Sequence, residues 1–353
     1  MNKTPSTFVI FTPAFAANET DSNWLPWLQT LIKAMNKVSP AVNIIIFSFQ
    51  YPYHLQTYRW HNNTVISFNG TNRKKFNHLI MWFEVLQKFR TIKKQHNVSG
   101  ILALWCGECS LLAKFCSTLF SVKYYSWVIG QDARPFNKYV KWIKPKPATL
   151  IAMSDFLADT FYKNFGIKAA HVIVNGVDTS LYKMQPSTKD IDVIGVGSFI
   201  VLKQYDHFVE IINELKKIFP NIHACLCGDG EERSNIEQQI ANLSLQNNLQ
   251  LYGFLPHTET LQMMQCAKIM LHPSSYEGFS TACLEALYAG AHVISFVEPM
   301  HNEIEHWHIV KTKNEMLEKA IALLKDETTN YKSVLVNSID NTAIQILQLF
   351  NLV

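Results

Sequence analysis

Two carboxylates stand eight positions apart in the run Glu277-Gly278-Phe279-Ser280-Thr281-Ala282-Cys283-Leu284-Glu285. Ser280 or Thr281 can cap a helix there, and the residues from Ala282 to Ala289 favour one. A helix start aims unpaired N–H groups at one point, which suits an anion, and Gly278 leaves the backbone unshielded. Glu277 precedes that point and Glu285 lies more than a turn inside. Carboxylates flanking a phosphate-sized site suit a ligand with hydroxyls on both sides of a phosphate, such as a sugar nucleotide. The competing reading is a strand–turn–helix unit with two solvated glutamates.

Three other segments share one pattern, a strand end followed by a turn. Val196-Gly197-Ser198 leads to Lys203, where glycine permits close backbone approach and lysine can place a point charge on a phosphate. Cys227-Gly228-Asp229-Gly230 and Tyr252-Gly253-Phe254-Leu255 are glycine turns after two further strands. In an open parallel sheet, the C-terminal edge of the strands is where ligands bind, and all four segments fall there.

The elements that must hold these residues are short apolar runs alternating with longer helical segments. In the second half the expected strands are 192–196, 223–227, 249–252, 269–271 and 292–296, with helices over 204–219, 236–243 and 316–325. In the first half strands are expected at 7–11, 42–47, 64–68, 100–105, 124–129, 149–152 and 171–174, with helices at 24–38, 76–95 and 155–165. Such alternation predicts parallel sheets covered on both faces, and 353 residues suffice for two of them. The polar, proline-bearing stretch 182–191 divides the chain into domains 1–186 and 187–329, and 330–353 reads as a terminal helix. Charge divides likewise. Residues 1–186 hold 21 Lys/Arg against 8 Asp/Glu, whereas 187–353 hold 11 against 20, so the halves face different partners.

The order and wording of these segments resemble retaining glycosyltransferases of family 4. Ala152-Met153-Ser154-Asp155 and Asn175-Gly176-Val177-Asp178 extend the match upstream. The resemblance implies the α/β GT-B fold: two Rossmann-like, doubly wound parallel-sheet domains facing across a cleft, with the C-terminal helix packing back on the first. It implies transfer of a sugar, with retention, from a nucleoside diphosphate sugar to a glycan or lipid-linked acceptor in cell-surface polysaccharide or glycolipid synthesis. Glu277 and Lys203 would be catalytic. Gly197, Ser198, Gly228, Phe254, Leu255, Gly278, Phe279, Ser280 and Glu285 would line the donor site, with Glu285 on the ribose. No metal or other cofactor is expected, because lysine and helix dipole take that place. Family members often carry arginine where Ser198 stands, a Gly-Gly pair in the first loop, and a histidine where Ile129 stands. Gln131 and Asp132, in that last loop, are the acceptor-side candidates. Two alternatives remain: a weak or inactive donor-binding partner of another transferase, and a sugar-nucleotide epimerase on the same fold. Uracil and guanine donors are both open.

The acceptor half carries Arg73, Lys74, Lys75, Lys88, Arg90, Lys93 and Lys94 with one acid, Glu84, and with Trp82, Phe83 and Phe89 interleaved. This reads either as a core helix with a basic face or as a surface for an anionic membrane. No nucleic-acid motif accompanies the charge. No run is long and apolar enough to span a bilayer, so a cytoplasmic protein, peripheral on the inner membrane face, is expected. Seven scattered cysteines, including Cys106 and Cys109 in redox spacing, read as reduced thiols.

Overall fold

The computed structural model describes residues 5–22, 24–72, 77–182 and 188–353. Arg73, Lys74, Lys75 and the linker residues 183–187 therefore lie outside the described residues. The chain divides into two compact units, 1–175 with 339–353, and 176–338.

Unit 1 is built on an eight-stranded sheet. Its strands are β1 (Ser6–Ala14), β2 (Asn43–Tyr51), β3 (Leu55–Trp60), β4 (Asn63–Phe68), β5 (Asn97–Leu104), β6 (Tyr124–Val128), β7 (Leu150–Ala152) and β8 (His171–Val172). Their spatial order is β3-β4-β2-β1-β5-β6-β7-β8. Phe8, Val9, Ile10 and Phe11 of β1 are fully buried on both faces, as a central parallel strand requires. The sheet is not wholly parallel: β3 pairs antiparallel with β4, from Leu55 opposite Phe68 to Trp60 opposite Asn63. Its alternating exposure, with polar Gln56, Thr57 and Arg59, is that of an edge strand, which an apolar-run search passes over. Helices α1 (Pro26–Val38), α2 (Asn77–Gln95), α3 (Glu108–Phe120), α4 (Tyr139–Ile143) and α5 (Asp155–Phe165) join the strands. Ser154 caps α5 by accepting from the Leu157 N–H, and Gly166 at φ +70° ends it.

Unit 2 carries β9 (Ile191–Val196), β10 (Ala224–Cys227), β11 (Leu249–Gly253), β12 (Ala267–His272), β13 (His292–Ser295) and β14 (Trp307–Ile309). All neighbours pair parallel, in the order β11-β10-β9-β12-β13-β14. The short strand β14 is a further element beyond those expected from sequence. Its helices are α6 (Tyr205–Ile218), α7 (Arg233–Asn242), α8 (His257–Cys266), α9 (Thr281–Tyr288) and α10 (Lys313–Lys325). The core packs Val209, Ile212 and Leu215 of α6 against Val193, Leu226 and Ile269 of the sheet.

The last helix, α11 (Ile339–Leu349), belongs to unit 1, as the resemblance implies. Phe350 meets Phe8 at 4.7 Å and Tyr125 at 5.1 Å, Lys123 donates to the Leu349 carbonyl, and Lys37 pairs with Asp340. The helix starts at 339 rather than 330. Residues 330–338 stay in unit 2, where the Val334 N–H donates to Leu287 O and Ser333 to Tyr288 O. Unit 2 likewise begins at Gly176 rather than 187, because Val177 bridges Ser338 and donates to Asn337 O. No helix among the described residues is long and apolar enough to cross a membrane.

Candidate functional site

In unit 2 the chain runs from β9 outward to β10 and β11, then returns to β12 on the other side of β9. The sheet order therefore reverses between β9 and β12, and a crevice opens beyond the C-terminal ends of those two strands. Lys203 follows β9 on a short 3-10 turn (Val201–Lys203), and Glu277 follows β12. The two loops are sewn together. Leu202 O accepts from the Ser275 N–H at 3.0 Å and from the hydroxyls of Ser275 and Ser274 at 3.2 and 3.3 Å. That stitching places Lys203 Nζ directly on Glu277 Oε2. His272, only 2% exposed at the end of β12, meets the same oxygen at 3.2 Å.

These three groups set one another's protonation. Burial alone would raise the Glu277 pKa. The His272 hydrogen bond and the charge of Lys203 outweigh it and bring the carboxyl from 4.5 to about 2. Burial and the Lys203 charge lower the pKa of His272. His272 is thus neutral, and because a carboxylate only accepts, its Nε2 carries the hydrogen. At neutral pH Glu277 is an anion that can accept hydroxyl hydrogen bonds and has no proton to give.

Helix α9 begins beside this loop. Ser280 is its N-cap, accepting from the Cys283 N–H at 3.3 Å. Gly278 and Phe279 lead into it; both are buried, and the Phe279 ring stacks on Trp307 of β14 at 5.8 Å and 7°. Glu285 lies one turn into the helix and does not join Glu277. Its Oε1 takes His257 Nε2 at 2.7 Å, and its side chain is 12% exposed. Burial opposes the charged form of His257, yet the hydrogen bond and charge of Glu285 raise its pKa overall.

The glycine turns close the floor. Gly228, at φ +148°, lies so near β9 that a Cβ would sit 1.9 Å from Gly197 O; one at Gly230 would sit 2.4 Å from Phe199 O. Only glycine fits there. Gly197 and Gly228 donate to Cys227 O and Gly253 O, which ties the ends of β9, β10 and β11 together. Ser198 is exposed, Phe254 is 60% exposed and Leu255 is half-buried on the rim.

Sequence reasoning missed the histidines. His272 ends β12 just before the Glu277 loop, and His257 follows Pro256 directly. Nothing local joins His257 to Glu285, a helix residue 28 positions on, whereas His272 stands only five positions before Glu277 and that spacing is a signal the sequence does carry. Among the described residues, no group of three or more His, Cys, Asp or Glu is placed to hold a metal ion.

In unit 1 the reversal falls between β1 and β5. Asp132 is buried and accepts backbone N–H groups from Cys106 (2.7 Å), Gly130 (2.8 Å) and Ile129 (3.2 Å), so it organises its own loop; Gln131 is exposed. Burial raises the Asp132 pKa against those N–H groups. The carboxylate at this edge is Glu108, first residue of α3, which accepts from Trp82 Nε1 at 2.6 Å and Gln50 Nε2 at 2.7 Å, with His78 at 3.4 Å. The seven cysteines are all free. Burial, with the nearby Asp132 charge, pushes Cys106 up to about 12, and burial pushes Cys109 well above its usual value, so neither is a thiolate at neutral pH.

The family described as Glycosyl transferases group 1 matches residues 180–338. A phosphatidylinositol N-acetylglucosaminyltransferase component from Arabidopsis thaliana is 31% identical over 135 residues, 37% of this chain and 30% of that protein. Mycobacterium tuberculosis glycogen synthase is 24% identical over 178 residues, 49% of this chain and 43% of that protein. These matches span less than half the length of either relative. Among solved structures, a TarM variant from S. aureus superposes with a TM-score of 0.69 at 11% identity, covering 98% of this chain and 99% of that one. Sucrose-phosphate synthase from Thermosynechococcus elongatus gives 0.71 at 14%, covering 98% of each. Anabaena HepE, solved with UDP-glucose, gives 0.66 at 17%, covering 98% and 96%. The fold is accordingly GT-B, and the match to Glycosyl transferases group 1 falls on unit 2, which carries the paired loops at the sheet reversal.

Proposed function

We propose that the chain transfers a sugar, with retention and without a metal ion, from a nucleoside diphosphate sugar to a glycan or lipid-linked acceptor. The observation that carries this is the Lys203–Glu277–His272 cluster at the reversal of the second sheet, beside the capped start of α9. Without donor, Lys203 is neutralised by Glu277. An arriving diphosphate offers Lys203 a stronger anionic partner and leaves the Glu277 carboxylate to accept hydroxyls of the sugar. Glu285, held by His257 at 2.7 Å, is the matching acceptor for ribose hydroxyls.

When the anomeric C–O bond breaks, negative charge grows on the diphosphate and oxocarbenium character on the sugar. Lys203 and the N–H groups at the start of α9 are fixed in place to stabilise that negative charge. The acceptor oxygen bonds to the anomeric carbon on the face that the diphosphate leaves, and its proton passes to a phosphate oxygen. The low pKa of Glu277 supports this route, since that residue cannot act as general acid.

A thermal-shift screen against UDP- and GDP-sugars tests the donor reading, since bound ligand raises apparent stability by RT ln(1 + [L]/Kd). One donor should stabilise the protein and slowly release nucleoside diphosphate, and Glu277→Ala should abolish that release. Binding without turnover across acceptors would favour the inactive-partner alternative, and no binding would sink both.

The relatives include a component of a phosphatidylinositol N-acetylglucosaminyltransferase. On α2 of unit 1, Leu79, Ile80 and Phe83 are more than half exposed, and Arg90 and Lys94 lie on the same exposed side. This supports cytoplasmic residence with docking on an anionic membrane face through α2. Flotation with phosphatidylserine vesicles should fall on Phe83→Ser and on neutralising Lys93 and Lys94; equal flotation with neutral vesicles would refute docking.

A further inference from the structure

Tyr205, the first residue of α6, is 3% exposed, and its hydroxyl has no hydrogen-bond partner among the described residues. A buried phenol without an acceptor forfeits the hydrogen bond it makes to water when unfolded, so its presence here asks for a cause. The ring is held edge-on by Phe199 at 5.2 Å and by Phe208 at 6.3 Å, which fixes where the hydroxyl points. It points at Gly197. The direction a side chain would take from Gly197 ends 2.9 Å from Tyr205 Oη and 3.8 Å from Lys203 Cε. With no Cβ on Gly197, a hydrogen-bond donor and the stem of a cation flank the same stretch of bare backbone. Burial, with the nearby Glu277 charge, raises the phenol pKa well above its usual value, so the group stays a donor at working pH.

We propose that the Tyr205 hydroxyl donates to a phosphate oxygen of the bound nucleoside diphosphate, entering over Gly197 beside Lys203. This rests on the donor reading above and adds to it a positioning contact, one that lets a single lysine orient the diphosphate. An oxygen arriving over Gly197 meets Lys203 on one side and Tyr205 on the other. The orphan hydroxyl of the empty site becomes a satisfied donor in the filled one.

The test compares wild type with Tyr205→Phe, using UDP, GDP, inorganic pyrophosphate and uridine as probes in calorimetry and thermal melts. The variant should melt at the same temperature as wild type or higher without ligand, because it removes an unsatisfied group. Its dissociation constants for the nucleoside diphosphate that wild type binds, and for pyrophosphate, should rise about ten- to a hundredfold, as expected for a hydrogen bond to a charged group. Uridine should not distinguish the two proteins. A UDP or GDP constant within twofold of wild type overturns the assignment and leaves the donor reading intact. A lower melting temperature without ligand, with affinity lost only in proportion, assigns the hydroxyl a purely structural role and also overturns it. Should wild type bind neither nucleoside diphosphate nor pyrophosphate, the donor reading itself falls and takes the Tyr205 contact with it.

Discussion

The two units reverse their sheets in the same way and place a glutamate at the reversal, but they surround it differently. In unit 2, Glu277 has a lysine on one oxygen and a neutral histidine beside it. In unit 1, Glu108 is held by an indole, an amide and a half-exposed imidazole, with no lysine or arginine among its described partners. A carboxylate matched by a cation makes a site that an anion can enter by exchange. One held by an indole, an amide and an imidazole has no lysine or arginine for an arriving anion to capture and offers acceptor oxygens. The first arrangement suits a diphosphate and the second suits hydroxyls. The glycines follow the same divide. Gly228 and Gly230 of unit 2 press on the backbone of Gly197 and Phe199, whereas a Cβ on Gly107 or Gly130 of unit 1 meets nothing within 4 Å.

The comparison breaks most visibly at the cation. Lys203→Ala should lower the release of nucleoside diphosphate by about 10²- to 10³-fold, the scale of one fixed donor at a developing anion; an effect under tenfold would move the diphosphate elsewhere. Gly228→Ala should cost about 3 kcal/mol or more in urea denaturation, because the methyl group must displace Gly197 backbone at a strained φ. Gly107→Ala, in open space at φ −132°, should stay within about 1 kcal/mol.

Acid titration sharpens the contrast next. The pKa of Glu277 is depressed by folding from 4.5 to about 2, so its stabilisation is present above pH 4.5 and lost as pH falls toward 2. That is on the order of 3 kcal/mol at full protonation. Denaturation curves of Glu277→Gln should be flatter than wild type across this window. An equal slope would mean that Lys203 and His272 do not set that carboxyl. A smaller loss than at Glu277 is expected for Glu108→Leu, which strands the indole and amide donors and should cost about 1–2 kcal/mol. Any nucleotide-induced thermal shift should survive that change.

What the sequence reveals is local. The Ser280 cap, the helix after it and the lysine after a glycine turn all follow from neighbours within a few positions, and the alternation of runs names the fold class. The reversal point, which brings Lys203 onto Glu277, depends on strand order that no single segment encodes. The His257–Glu285 pair likewise joins distant segments, whereas His272, five positions before Glu277, is within reach of local reasoning. Asp132 shows the converse: its polarity in a loop suggested a ligand contact, while burial and three nearby N–H groups direct it to the backbone. Strand β3 escaped notice because an edge strand needs only one apolar face. The terminal helix starts later than its apolar residues suggest because Val334 serves unit 2, where its N–H donates to Leu287 O of α9.

Because α11 belongs to unit 1, that unit has a vacancy throughout most of its synthesis. Gly100 faces the place of the Phe350 ring so closely that a Cβ would stand 2.1 Å from it. As the chain leaves the ribosome, residues 1–175 emerge first, with Phe8 and Tyr125 waiting for a ring encoded near the far end. All of unit 2 is made in between and can fold first as a continuous segment. The earlier-made half thus matures last. A chain stopped before Ile339 would hold every residue of unit 2 but leave the first unit with an open apolar seam at Phe8, Gly100 and Tyr125.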